Sequence, residues 1–150
     1  MVQVLLALIP YTRQNFLLAF KPNQFFNELE KTSNYSDKTL RVTFSRAKNQ
    51  KLFTIKNDQI SLSLHGNQIV QPFIAQKLSG NGQLMVIFDI PEDYANLRRK
   101  FRNLLRQFQF KQIQYSVWMS DKDCRIILSE SIKELGLQNW VQLYESARIL

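Results

Sequence analysis

A chain of 150 residues is long enough for one average domain or two small ones, and its 45% hydrophobic content excludes a disordered polymer. The single cysteine, Cys124, excludes an internal disulfide and any multi-cysteine zinc site, and the single histidine, His65, removes His-rich metal sites and most nucleophile–histidine pairs. Lys and Arg number 20 against 12 Asp and Glu, and the resulting +8 is the electrostatic footprint of a nucleic-acid binder.

Val2–Phe20 is apolar in patches, but Tyr11-Thr-Arg13-Gln-Asn15 interrupts it. No run is long enough to span a bilayer and no basic leader precedes a short apolar core, so a reducing, cytoplasmic setting is expected. Val2–Ile9 and Asn15–Phe20 read as short helical pieces. Asn23 is placed to cap a helix through Thr32 that buries Phe26 and Leu29 at i, i+3. Asn34-Tyr-Ser36-Asp37 reads as a turn, with Ser36 or Asp37 as the next N-cap. Lys38–Gln50 then forms a helix with Leu40, Phe44 and Ala47 on its core stripe. Lys38, Arg41, Ser45 and Lys48 fall at i, i+3, i+7 and i+10 on the opposite side, and Arg46 projects beside the core stripe. Leu52–Ile55 and Gln59–Leu64 are two short strands joined by the turn-forming Lys56-Asn57-Asp58. His65 starts a His-Gly-Asn turn of structural character. Helix, helix, turn, helix, hairpin is the order of a winged helix-turn-helix, here assigned to residues 1–78.

Leu78-Ser-Gly80-Asn-Gly82 is the most linker-like stretch. The charge balance changes there, from +6 over residues 1–80 to +2 over 81–150. Beyond it Leu84–Phe88 is an almost wholly apolar strand suited to a central position. Pro91 suits the first turn of a helix, with Glu92 and Asp93 as partners of its dipole and Leu97, Phe101, Leu104, Leu105 and Phe108 as its core stripe. Gln112–Met119 alternates as a strand with Ile113, Tyr115, Val117 and Met119 on one face, and Trp118 falls on the other. Arg125–Leu135 fits either a short strand plus a helix or one longer helix, with Gly136 as C′ residue. Trp140–Ile149 is a final strand. The order over residues 83–150 is the βαββαβ of a ferredoxin-like domain, which makes the whole chain α+β.

An apolar strand ending in Asp (Met85–Asp89), an Arg-rich helix (Leu97–Arg106) and a Gln-x-Ser-Val-aromatic strand (Gln114–Trp118) resemble the small CRISPR-associated adaptation endonuclease. The same domain, with Phe-Asp-Ile-Pro-Glu and Ser-Val-Trp, occurs in the middle of the phenylacetic-acid degradation repressor (PaaX) family. There it follows a winged helix bearing Leu-Arg-Val and Ser-Arg, which Leu40–Val42 and Ser45–Arg46 match. The second resemblance covers nearly the whole chain. It implies a homodimeric transcriptional repressor, without the further C-terminal region usual in that family. The phenylacetyl-CoA effector of its type member is not carried over, and the small-molecule effector is left unassigned.

Lys38, Thr39, Arg41, Ser45, Arg46 and Lys48, with Lys56 in the wing, are therefore the expected contacts to double-stranded DNA. Asp89 is expected to cap the helix that starts near Pro91. Its alternative, implied by the nuclease resemblance, is to hold Mg²⁺ with its copy across a two-fold axis and support metal-dependent cleavage. No catalytic residue, metal or cofactor is otherwise expected. Arg98, Arg99, Lys100, Arg102 and Arg106 read as a solvated face partly neutralised by Glu92 and Asp93, the alternative being a cluster that steers DNA across a C-terminal dimer.

Overall fold

The computed structural model describes residues 1–9, 17–18, 21–56, 59–147 and 149. The chain forms two compact units, Met1–Val70 and Gln71–Leu150.

In the first unit, helices α1 (Val2–Leu6), α2 (Pro22–Thr32) and α3 (Asp37–Asn49) precede an antiparallel hairpin of β1 (Phe53–Lys56) and β2 (Gln59–Leu62), paired from Phe53↔Leu62 to Lys56↔Gln59. The expected helix at Asn15–Phe20 and the wing tip Asn57-Asp58 fall largely or wholly outside the described residues. Val4, Leu5, Phe25, Phe26, Leu29, Leu40, Ala47, Leu52, Phe53 and Ile60 bury one core. Each large side chain fully removed from water contributes about 1.5–3 kcal/mol. A run of ring contacts, Phe25–Phe26 (5.0 Å), Phe26–Phe44 (5.7 Å) and Phe44–Phe53 (5.0 Å), ties the helices to the hairpin. Ser36 caps α3 by accepting from the Thr39 N–H (3.4 Å), and Glu30 Oε1 accepts from the Asp37 N–H (2.9 Å). Asn23 does not cap α2, because the helix already starts at Pro22, a residue suited to the first turn.

The expected turn at His65 is instead the first turn of a helix, α4 (Leu64–Ile74). Ser63 starts it: its hydroxyl accepts from the Gly66 N–H (3.1 Å) and its carbonyl from the Asn67 N–H (2.8 Å). His65 Nδ1 lies 3.2 Å from Gln68 Oε1.

The division between units falls within α4, ahead of the Leu78–Gly82 stretch. Residues after Val70 bond to the 121–123 loop of the second unit. Gln71 Nε2 donates to the Asp123 carbonyl (3.2 Å), the Leu78 N–H donates to the Asp121 carbonyl (2.8 Å), and Lys77 pairs with Asp121 (2.9 Å). Lys77 and Arg125 hold the Asp121 and Asp123 carboxyls below their ordinary value. These exposed pairs therefore stabilise above about pH 4 and lose that contribution as pH falls through the lowered values.

The second unit runs β3 (Gly82–Phe88), a 3₁₀ turn (Glu92–Tyr94), α5 (Ala95–Gln107), β4 (Lys111–Gln114), β5 (Val117–Ser120), α6 (Arg125–Glu134) and β6 (Val141–Ala147). Its sheet is antiparallel in the order β4-β5-β3-β6, so β3 is central as expected. Gln112–Met119 is not one strand: residues 115–116 turn the chain, and Lys111 pairs with Met119. That hairpin separates the two aromatics. Trp118 is 2% exposed and Tyr115 is 66% exposed. Arg125–Glu134 is a single helix.

Leu84, Val86 and Phe88 of β3 are buried, as are Phe101, Leu104, Leu105 and Phe108 of α5 and its end, and Ile127, Leu128 and Ile132 of α6. The odd-numbered β3 residues face the other way. Met85 pairs with Met119 and Tyr144, and Ile87 with Val117, all half-buried or exposed. Cys124 is 2% exposed, and burial pushes its thiol up to about 12, with the Asp123 charge adding, so it is a neutral packing group. Among the described residues no helix is long and apolar enough to cross a membrane.

Candidate nucleic-acid interface

Helix α3 packs Leu40, Phe44 and Ala47 inward, and this fixes which residues point out. The open face is centred on Lys38, Val42, Ser45 and Asn49, at i, i+4, i+7 and i+11, with Thr39 and Arg46 beside it. All six are exposed, Val42 at 44%. This is a rotation of the face expected from the sequence. Val42 and Asn49 join it, and Arg46, expected beside the core stripe, is exposed next to it.

Arg41 turns away. Its Nε pairs with Asp37 Oδ2 (2.7 Å), an Nη2 donates to Asn23 Oδ1 (3.2 Å), and its guanidinium sits 4.4 Å from the Phe26 ring centre. Those contacts join α3 to α2 and occupy two of the five guanidinium N–H donors inside the unit. Thr39 is partly engaged as well, through the cap with Ser36 (Oγ–Oγ1, 3.0 Å). Lys38, Ser45, Arg46 and Lys48 are exposed, and no ion pair of theirs occurs among the described residues. Lys56 is exposed at the end of β1, beside the half-exposed Ile55.

Asp89 follows β3 directly and is exposed; its backbone N–H donates to the Trp140 carbonyl (2.9 Å). Its side chain caps nothing. The 3₁₀ turn begins after Pro91 and α5 after Tyr94, and neither start has a side-chain cap. Pro91 thus precedes a 3₁₀ turn and not an α-helix. Among the described residues no group of three His, Cys, Asp or Glu is placed to hold a metal ion. A second Asp89 from another copy would be needed for a carboxylate pair.

The arginines of α5 are not neutralised by Glu92 and Asp93 through any ion pair among the described residues. Arg102 stacks on Tyr115 (4.1 Å to the ring centre) and donates to its carbonyl (3.4 Å). The hydrogen bond and charge of Arg102, helped by Arg98, hold the Tyr115 phenol below its ordinary value of 10. The fold thus favours the phenolate relative to the unfolded chain, so the pair adds stability only at alkaline pH, in full above the ordinary phenol value and lost as pH falls through the lowered one. In an absorbance titration Tyr115 is expected to ionise at a lower pH in the unaltered protein than in an Arg102→Gln variant. Superimposable titration curves for the two proteins would contradict this.

Residues 81–149 match the family model described as the PaaX protein central Cas2-like domain. No curated protein matches the sequence. Among solved structures the chain is similar to an uncharacterized protein from Mycobacterium tuberculosis, at 18% identity and a TM-score of 0.38. That alignment covers 98% of this chain and 59% of the other, so the chain spans well under two thirds of that protein's length. The matched family domain begins within the second unit and takes in β3 to β6.

Proposed function

We propose that the chain is a PaaX-family transcriptional regulator that binds double-stranded DNA sequence-specifically as a homodimer, acting as a repressor in the cytoplasm. The observation that carries this reading is the open face of α3. It is a 13-residue helix whose outward residues are basic, hydroxyl, amide and aliphatic, with no exposed carboxylate among them. Such a helix fits the major groove: Lys38 and Arg46 reach guanine O6 and N7 or phosphates, Asn49 suits adenine, and Val42 a thymine methyl. On this reading the first unit is a winged helix, α3 is its recognition helix, and Lys56 on the β1–β2 wing contacts phosphate. The PaaX domain match and the net charge of +8 support it.

The half-exposed side of the second unit's sheet, with Met85, Ile87, Val117, Met119 and Tyr144, is the surface offered to a second copy. Two α3 helices related by a two-fold axis favour an inverted repeat. The test is competition binding at fixed salt between a duplex selected for tight binding and its scrambled version. Joint replacement of Lys38 and Arg46 by Gln is expected to reduce the preference by 10-fold or more, each lost base contact being worth about 1–3 kcal/mol. An unchanged preference would remove α3 as the reading element.

The uncapped, exposed Asp89 favours a second reading, a metal-dependent nuclease or CRISPR-adaptation subunit using Asp89 from each protomer. It requires Mg²⁺-dependent cleavage that Asp89→Ala abolishes; cleavage surviving that change would end this reading.

A further inference from the structure

Helix α5 carries Arg98, Arg99, Lys100, Arg102 and Arg106 and no acidic residue. Arg98, Arg102 and Arg106 recur at i, i+4 and i+8, one flank of the helix, over a length of about 12 Å. Arg99 lies next to that row. The hydrogen bonds these arginines make go to neutral oxygens: Arg98 to the Ile90 carbonyl (3.5 Å), Arg99 to Asn96 (3.3 Å), Arg102 to the Tyr115 carbonyl (3.4 Å) and Arg106 to Asn103 (2.8 Å). Arg41 and Arg125, by contrast, meet carboxylates at 2.7–2.8 Å. The α5 row therefore keeps its full charge.

The row is also held in place. Arg102 lies over the Tyr115 ring and 5.7 Å from the Phe88 ring centre, and Arg106 lies 5.5 Å from that of Trp118. Phe88 and Trp118 are core residues, so the two guanidiniums rest on the fixed part of the sheet. A guanidinium already seated on a ring loses less rotamer freedom on meeting an anion than a free one does. Arg99, Lys100 and Arg106 are exposed, and Arg98 and Arg102 half-buried.

A fixed, unneutralised line of guanidiniums suits an anion whose charges are themselves in line. The duplex carries one phosphate charge per about 1.7 Å of axis, so the row faces several at once. We infer that the α5 arginine row grips the phosphate backbone of duplex DNA without reading its sequence, as a contact additional to α3. This rests on the duplex-binding reading above. The row supplies affinity and salt sensitivity, and α3 supplies discrimination.

The test uses the full chain and a mixed-sequence labelled duplex of about 30 base pairs, with affinity measured across a salt series. Changing Arg98, Arg99 and Arg106 together to Gln is expected to flatten the slope of log affinity against log salt by about 2 to 3, since each phosphate contact contributes about 0.9. The corresponding triple change to Lys is expected to keep most of the slope, with both variants checked for an unaltered melting curve. Tight, salt-dependent binding with the same slope in the Gln variant would overturn the inference and leave the α3 reading standing. A slope lost equally in the Lys variant would overturn it too, because charge would then not be the cause. A wild-type chain that binds no duplex would overturn both.

Discussion

Gly66→Ala is expected to cost the first unit on the order of 3 kcal/mol or more, a large part of what so small a unit has. Gly66 is buried in the first turn of α4, where a methyl group would overlap the carbonyl oxygen of Leu52. That oxygen is not free to move. It accepts the Ser63 N–H (2.9 Å), and Leu52 is fully buried while its own N–H donates to Ala47 (3.0 Å). Alanine returns about 1 kcal/mol through its better helix propensity, so the net loss measures the clash against that gain. Denaturant unfolding followed by circular dichroism checks it. A stability within about 0.5 kcal/mol of the unaltered chain would mean that α4 does not pass this close to Leu52.

Trp118 is expected to show an unusual pair of effects in the second unit. Trp118→Ala should cost about 3–5 kcal/mol, because the ring is 2% exposed among the β3 and α5 core residues and supports Arg106. Trp118→Phe should cost much less, about 1–2 kcal/mol. The indole N–H is buried without a hydrogen-bond partner, so phenylalanine removes an unmet polar group along with some volume. A loss in the Phe variant as large as in the Ala variant would contradict this, because replacing an unbonded indole N–H leaves no partner unsatisfied.

What the sequence reveals here depends on whether a signal is periodic or positional. The core stripes of α3 and α5 follow from spacing alone, and Leu40, Ala47, Phe101, Leu104 and Leu105 are buried as expected. Helix α4 hides because Gly66 and Pro72 lie inside it, and both read as punctuation. Glycine is there for the close approach of Leu52, which no local pattern announces.

Helix ends make the same point. Lys51, Gln109 and Gly136 all have positive φ, at 54°, 62° and 68°. Each is followed by a buried residue, Leu52, Phe110 or Leu137, whose N–H donates five residues back. These are three copies of one C-terminal motif. The glycine alone is recognisable, since Lys and Gln rarely adopt that conformation and are held there by the buried residue that follows.

Helix α3 is legible in the sequence, and its open face is not. Lys38 and Ser45 lie where spacing puts them, but the arc chosen from charge alone includes Arg41 and leaves out Val42 and Asn49. The open side lies opposite the buried stripe of Leu40, Phe44 and Ala47, and the cations do not mark its centre. Arg41 is drawn inward by Asp37 four residues before it, a visible pairing, and by Asn23 and Phe26 on another helix, which is not. The Asp-Ile-Pro spacing predicts a capping Asp89 because Pro91 is a common first helical residue; a 3₁₀ turn intervenes and leaves the carboxylate unused.

Selection of bound duplexes from a random library, at moderate salt and without divalent metal, tests the central claim most directly. Sequence-specific binding by a dimer requires a consensus with two-fold symmetry, its half-sites separated by about one helical turn or a multiple of it. Recovery of duplexes with no shared sequence would contradict it, leaving a chain that holds DNA by its backbone alone.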